Sequence, residues 1–205
     1  MITKNRKIPV VLSLEEIDLL KKVPNLRYPS GLRDKAIINL VLNTGLRVDE
    51  VINLKPDNVD LKTKTITLDH AKKDSFGNVV FNSNEVINLI KKWLKVRPKT
   101  SSWLFCTITK EKKVADKGGI TKPGNKLSRQ YLTDMVKKYA IKEGISKTVG
   151  FHTLRHTYAT WLYIKTHDIE VVRQQLRHKS ITSTTIYTQT AWQFEDHRAL
   201  NGFEL

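Results

Sequence analysis

The stretch from 151 to 187, FHTLRHTYATWLYIKTHDIEVVRQQLRHKSITSTTIY, constrains the chain more than any other. Its apolar residues recur at helical spacing, which predicts three helical segments over about 151–165, 168–177 and 180–187. Ile169, Val172 and Leu176 form a stripe expected to be core, as are Tyr158, Trp161 and Leu162. On these segments stand His152, Arg155, His178 and Tyr187. A guanidinium is the natural fork for a phosphate, because its planar donors match two phosphate oxygens. An imidazole can donate a hydrogen bond or move a proton near neutral pH. A tyrosine hydroxyl can serve as a covalent nucleophile. The set therefore points to attack on a phosphodiester rather than to docking alone. His152 and His156 are spaced i, i+4 like metal ligands, but the zinc-protease pattern needs Glu after the first histidine and Thr153 stands there. No metal and no cofactor are expected, and His156 reads as a packed or hydrogen-bonded helix residue.

Charge names the polymer that carries such a bond. The 205 residues hold a net charge of +16 with 40% apolar content, enough for a core. So large a positive excess fits nucleic acid first and an anionic membrane surface second. It is uneven: residues 91–150 contain sixteen Lys and Arg against four Asp and Glu. The loop 110–126, KEKKVADKGGITKPGNK, supplies Lys112, Lys113, Lys117, Lys122 and Lys126, and Arg129 follows it. These are candidate DNA-binding residues on a loop expected to be mobile alone and ordered on phosphates. No apolar run approaches membrane-spanning length, and the N-terminus lacks a signal-peptide core. Cys106 is the sole cysteine, so no internal disulfide is possible and a reducing cytoplasm is expected.

Upstream, Ser13 and Glu16 make a capping box for a helix over 14–22. A strongly apolar helix is expected over 34–42, broken at Asn43-Thr44-Gly45, with a short helix over 47–54 stopped by Pro56. The alternation of 63–68 and 79–81 around Asp74–Asn78 reads as a hairpin, and Trp103–Cys106 as a third strand. Ser83 and Ser128 open two more helices, the second running to about Glu143. The sum is a mainly α domain with one small antiparallel β-sheet. His70, His167 and His197 are expected on the surface.

Taken in order, Thr44-Gly45-Leu46-Arg47-Val48-Asp49-Glu50, a hairpin lysine, His152-Thr153-Leu154-Arg155, Leu176-Arg177-His178 and Tyr187 resemble the tyrosine recombinase (phage integrase) family. Each piece is weak; the ordered set, with the histidine-to-tyrosine spacing of the family, is specific. The resemblance spans nearly the whole chain. It implies a recombinase catalytic-domain fold and a site-specific recombinase that cleaves and rejoins DNA strands through a 3′-phosphotyrosine, without metal or ATP. It also implies the roles. Arg47 and Arg155 would clamp the scissile phosphate, with His152 beside Arg155, and Glu50 would hold Arg47. His178 would hydrogen-bond the phosphate, and Tyr187 would be the nucleophile. Lys72 would be the general acid, preferred over Lys73 by strand register, with Lys73 left as a DNA contact. The second reading is a non-catalytic DNA-binding regulator that keeps the fold.

Two departures stand out. Arg177 occupies a position where the family has glycine, and it reads either as a strained helix cap or as an added phosphate contact. Family members also carry an N-terminal DNA-grasping domain, and the chain reads as a single catalytic domain over 1–205 that lacks it, whether as a fragment or as a naturally short form. The resemblance further implies double-stranded DNA as partner, a homo-tetramer on synapsed sites, and accessory DNA-bending or directionality proteins. No membrane partner is implied, and the location would be the nucleoid within the cytoplasm. The tail 189–205 carries Trp192, Phe194, Leu200 and Phe203 and is expected to be exchanged between protomers.

Overall fold

The computed structural model describes residues 8–68, 77–108, 111–112 and 120–194, with 111–112 and 120–121 described by backbone alone. Eight helices are described: α1 (Leu14–Lys22), α2 (Pro29–Thr44), α3 (Val48–Asn53), α4 (Asn84–Val96), α5 (Arg129–Lys142), α6 (Phe151–Thr166), α7 (Ile169–Leu176) and α8 (Ile186–Ala191). A three-stranded antiparallel sheet has the order β1 (Val59–Asp60), β2 (Thr65–Leu68), β3 (Gly77–Val80). A further hairpin pairs β4 (Glu111–Lys112) with β5 (Ile120–Thr121) inside the basic loop. No described helix is long and apolar enough to cross a membrane.

The capping box forms as the sequence dictates: the Ser13 amide donates to Glu16 Oε2 at 2.7 Å, and the Glu16 amide donates to Ser13 Oγ at 3.2 Å. Ser83 and Ser128 cap α4 and α5 by one half of that arrangement, each side-chain oxygen accepting from the amide three residues on, Val86 and Tyr131. α2 is the axis of the domain. Ile37, Ile38, Leu40 and Val41 are fully buried, and the helix packs against α4 and α6. It starts five residues earlier than its apolar run. Pro29 sits in the first turn, where its missing N–H costs nothing. Gly31 is required there, since a Cβ would meet the Asn25 carbonyl oxygen at 2.0 Å. Ile66, Leu68 and Val79 turn the inner face of the sheet to the core. The 103–106 segment is not a strand. It is fixed instead by single bonds: the Leu104 amide donates to Leu54 O at 2.7 Å, Trp93 Nε1 donates to Leu104 O at 2.7 Å, and Cys106 makes one bridge to Lys126.

α2 also carries a buried polar knot. Arg33, with no exposed surface, donates through Nε to Asp34 Oδ1 at 3.0 Å and through Nη1 to the Cys106 carbonyl at 3.0 Å. Tyr139 of α5 donates to Asp34 Oδ2 at 2.9 Å, and Tyr131 reaches the same carboxylate at 3.2 Å. The knot ties α5 to α2. Asp34→Ala would leave Arg33 charged and buried without its counter-ion, so a loss of about 3–5 kcal/mol is expected. A urea melt measures it; an unchanged midpoint would show that the knot is dispensable.

A second, smaller cluster lies apart from the main core. Ala159, Val172, Leu176 and Tyr187 pack together, with Tyr158, Leu162, Tyr163 and Ile186 half-buried around them. This cluster seats α7 and α8 on α6 and so fixes the position of Tyr187. Tyr158, Trp161 and Leu162, expected as core, are half-buried, because this face of α6 borders a groove rather than a closed layer, and Ile169, also expected as core, is half-buried at the first turn of α7.

Candidate active site

α2 ends in a left-handed turn at Gly45, with φ 63°. Glycine is required there twice over. The backbone sign disfavours any side chain, and a Cβ would meet Tyr158 Cδ1 at 2.6 Å and Leu176 Cδ2 at 2.7 Å. Arg47 follows as the N-cap of α3, and its amide donates to Glu50 Oε2 at 2.6 Å. Its guanidinium Nη1 donates to Glu50 Oε1 at 3.1 Å while the side chain stays 35% exposed. A buried carboxylate thus orients a cation that still reaches solvent.

Arg155 lies across the turn from α6 and is only 5% exposed. It donates to the Gly45 carbonyl, to Leu176 O at 2.9 Å and toward His178 Nε2 at 3.2 Å. One guanidinium therefore joins the end of α2, the end of α7 and the histidine that follows. Burial, and then the neighbouring Arg47, bring its pKa down to about 10, which leaves it cationic at neutral pH. Arginine can only donate, so His178 Nε2 accepts and its Nδ1–H donates to Thr184 Oγ1 at 2.9 Å. Tyr187 is 2% exposed, and its ring stacks nearly parallel to His178 at a centroid distance of 6.3 Å. Burial raises the Tyr187 pKa, against the opposing pull of Arg155 and Arg47.

The structure thus brings Arg47, Glu50, Arg155, His178 and Tyr187 together from α3, α6, α8 and the turn after α7. His152 lies exposed on the first turn of α6, near enough to Arg155 and Arg47 that they add to burial in lowering its pKa. Lys72 and Lys73 lie outside the described residues, as do Lys113, Lys117, His70 and His197, and the side chain of Lys112 is not described. Lys122, Lys126 and Arg129 are exposed. Lys126 sits over the Trp103 ring at 4.7 Å, and Arg129 Nη2 pairs with Asp49 Oδ2 at 2.6 Å. His167 is exposed as expected, at the left-handed end of α6.

Arg177 is a correction. Of the two readings the sequence left open, the phosphate contact is withdrawn: its side chain is 6% exposed and its Nη2 pairs with Glu50 Oε2 at 2.6 Å. The cap strain does occur, with φ 55° at the end of α7. Glu50 therefore answers two arginines. Burial pushes its pKa up, but Arg177 and the Arg47 amide outweigh that and hold it low, so it stays ionised. Two further residues join the cluster, His156, expected as a packed or hydrogen-bonded helix residue, and Thr184, which gave no signal of its own in the sequence. His156 Nδ1 lies 3.1 Å from the Tyr187 hydroxyl, and Thr184, fully buried, meets His178.

The cluster reaches solvent through Arg47, whose side chain is 35% exposed. A groove of about 510 Å³ beside α1, α6 and α7 contains none of its members. Among the described residues, no group of three His, Cys, Asp or Glu converges as a metal site would require.

Burial depresses His156 and His178 to about 4, helped by the cations beside them, from an ordinary 6.5. A folded pKa below the unfolded one gives stability that is complete above the unfolded value and is lost as pH falls. The urea midpoint should therefore drop between pH 6.5 and about 4, and the drop should be smaller in His156→Gln/His178→Gln. An equal drop would place the acid sensitivity elsewhere.

Solved structures share this fold. The XerA recombinase crystal structure superposes with a TM-score of 0.75 at 26% identity, covering 100% of this chain and 68% of that one. XerH site-specific recombinase, bound to its palindromic difH substrate in a post-cleavage complex, gives 0.73 at 27% identity, covering 94% of this chain and 53% of that one. The fold is that of a tyrosine recombinase catalytic domain. Residues 11–193 match the phage integrase family model, and the chain belongs to that family. Tyrosine recombinase XerD of Staphylococcus saprophyticus is 32% identical over 188 residues, covering 91% of this chain. The chain spans about 60% of the length of the curated relatives it matches.

Proposed function

We propose that this chain is the catalytic domain of a site-specific DNA recombinase. Arg47 and Arg155 hold the two non-bridging oxygens of the scissile phosphate and neutralise the charge that grows on them. His178 joins them. Thr184 can accept or donate, so the imidazole can change tautomer and offer Nε2–H when a phosphate oxygen arrives. The Tyr187 oxygen attacks phosphorus and the P–O5′ bond breaks. Lys72 supplies the proton that leaves with the 5′-hydroxyl. The 3′-phosphotyrosine keeps the bond energy, so the 5′-hydroxyl of a partner strand can reverse the step without ATP.

The observation that carries this reading is one buried tyrosine ring stacked on His178, which itself touches Arg155 at 3.2 Å. The DNA-bound, post-cleavage state of XerH supports the substrate class. A homo-tetramer on synapsed sites is part of the proposal, with the end of the 189–205 tail exchanged between protomers, accessory DNA-bending or directionality proteins, and action at the nucleoid. Phe194 packs on Trp161 of the same chain at 5.5 Å, so the crossing point of such a tail lies beyond 194.

The test is a covalent adduct. Duplexes selected for binding from a random pool are nicked just 3′ of the cleavage position, so that a short 5′-hydroxyl fragment diffuses away and traps the intermediate. In a chelator, a denaturation-resistant protein–DNA species is expected; binding without it would favour a regulator that keeps the fold. Binding should also weaken steeply with salt, because a chain of net charge +16 displaces counterions from several phosphates. Neutralising Lys122, Lys126 and Arg129 together should flatten the plot of log affinity against log salt by about two to three units. An unchanged slope removes these residues from the interface.

A further inference from the structure

We propose that His156 accepts the proton of the Tyr187 hydroxyl during strand cleavage; this inference rests on Tyr187 being the nucleophile. Among the described residues two imidazoles lie against the tyrosine, and one of them aims a nitrogen at its oxygen. His156 Nδ1 is 3.1 Å from Oη, with the rings tilted by 46° at 5.8 Å between centroids. His178 presents its face to the tyrosine ring, and both its nitrogens are engaged, by Thr184 and Arg155. His152 is exposed and makes no described bond to the phenol. Tyr187 is 2% exposed, which leaves little room for water to serve as the acceptor.

The neighbours of His156 keep its lone pair free. Burial, His152 and Arg155 on its own helix disfavour the imidazolium. His178 and Tyr187 face it from beyond α7 and from α8, and neither is anionic at rest. A bound phosphate brings negative charge beside Arg155, the next residue of the same helix turn, and so favours proton uptake at the moment of attack. The clamp and the acceptor are adjacent residues of α6, which couples their positions.

The step balances. The Tyr187 O–H bond breaks and its proton moves to His156 Nδ1. The freed electron pair forms the O–P bond. The P–O5′ bond breaks and the leaving oxygen takes its proton from the general acid. In religation the imidazolium returns its proton to the tyrosine oxygen as the 5′-hydroxyl attacks.

His156→Asn separates holding from proton transfer, because its Oδ1 can still accept a hydrogen bond but cannot take a proton at neutral pH. Adduct formation on the nicked duplex should fall by about 10²–10⁴-fold. A second measurement uses an oligonucleotide ending in a 3′-(4-nitrophenyl) phosphate, whose phenolate leaves without a proton. With Tyr187→Phe, a 5′-hydroxyl strand attacks this ester directly, and Tyr187→Phe/His156→Asn should ligate it at the rate of Tyr187→Phe alone. Ligation also reports a folded site. If ligation falls as far as cleavage, His156 is structural and the proposal is overturned. Wild-type cleavage by His156→Asn overturns it too, while the nucleophile assignment survives. No adduct from the unmodified chain removes the nucleophile assignment and this inference together.

Discussion

Tyr187→Phe should give a folded protein that binds DNA and forms no covalent adduct. The ring is what the structure uses: it packs with Ala159, Val172 and Leu176 in the small core that seats α8. Phenylalanine keeps that ring. The hydroxyl makes one hydrogen bond, to His156, and losing a typical bond costs about 0.5–1.5 kcal/mol. His156 is itself only half-buried, so losing that bond does not strand a fully buried imidazole. The proposed phosphate clamp, Arg47 and Arg155, is not touched by the substitution, so affinity should change less than threefold. Without a nucleophilic oxygen, cleavage has no covalent route and the loss is complete. The check is a denaturing gel for adduct beside a binding isotherm. A phosphotyrosyl adduct in the Phe variant would disprove the role of Tyr187, and lost binding would show that the hydroxyl serves the fold.

Much of this arrangement was legible because its signals are local. The Ser13–Glu16 box, the Ser83 and Ser128 caps, and Gly45 before Arg47 are short-range rules, and each element appears within a residue or two. α7 and its core residues Val172 and Leu176 follow from periodicity alone. What failed depends on distant partners. α2 starts at Pro29 because Gly31 lets it press on the Asn25 backbone, a contact that no propensity encodes. Trp103–Cys106 has strand composition, but its backbone bonds run singly to Leu54 and Lys126. The expected helix over 180–187 is a 3₁₀ turn at Ile181–Ser183 followed by α8. The basic loop hides a hairpin, β4–β5, too short for alternation to show.

The site divides in the same way. Residue types in a fixed order named Arg47, Glu50, Arg155, His178 and Tyr187, and these converge. Of the two readings open for Arg177, the left-handed cap holds and the phosphate contact does not, because its partner, Glu50, lies 127 positions away. An arginine one residue before a site histidine looks like a phosphate ligand until the carboxylate it neutralises is found. His156 was visible as a helix histidine, but its bond to Tyr187 required knowing how α8 returns across α6.

Arg155→Ala should damage both stability and chemistry, and the two losses can be told apart. In the folded chain this guanidinium is structural cement as well as a candidate clamp. It serves the Gly45 and Leu176 carbonyls, the ends of two helices that otherwise leave those oxygens buried and unpaired. Each of the two orphaned carbonyls costs about 1–3 kcal/mol, so about 2–6 kcal/mol of stability should be lost in all. Removing one contact to the transition-state charge costs a further 10²–10³-fold in rate, about 2.7–4 kcal/mol. Arg155→Lys is the informative partner. An ammonium keeps the charge but cannot span two carbonyls and a phosphate in one plane. Lysine should therefore recover part of the affinity for DNA and little of the cleavage rate. Urea midpoints, binding isotherms and single-turnover adduct formation, measured below the melting transition of each variant, separate the terms. Cleavage by Arg155→Ala at the wild-type rate would remove Arg155 from the chemistry. Unchanged stability would mean that the two helix ends find other donors.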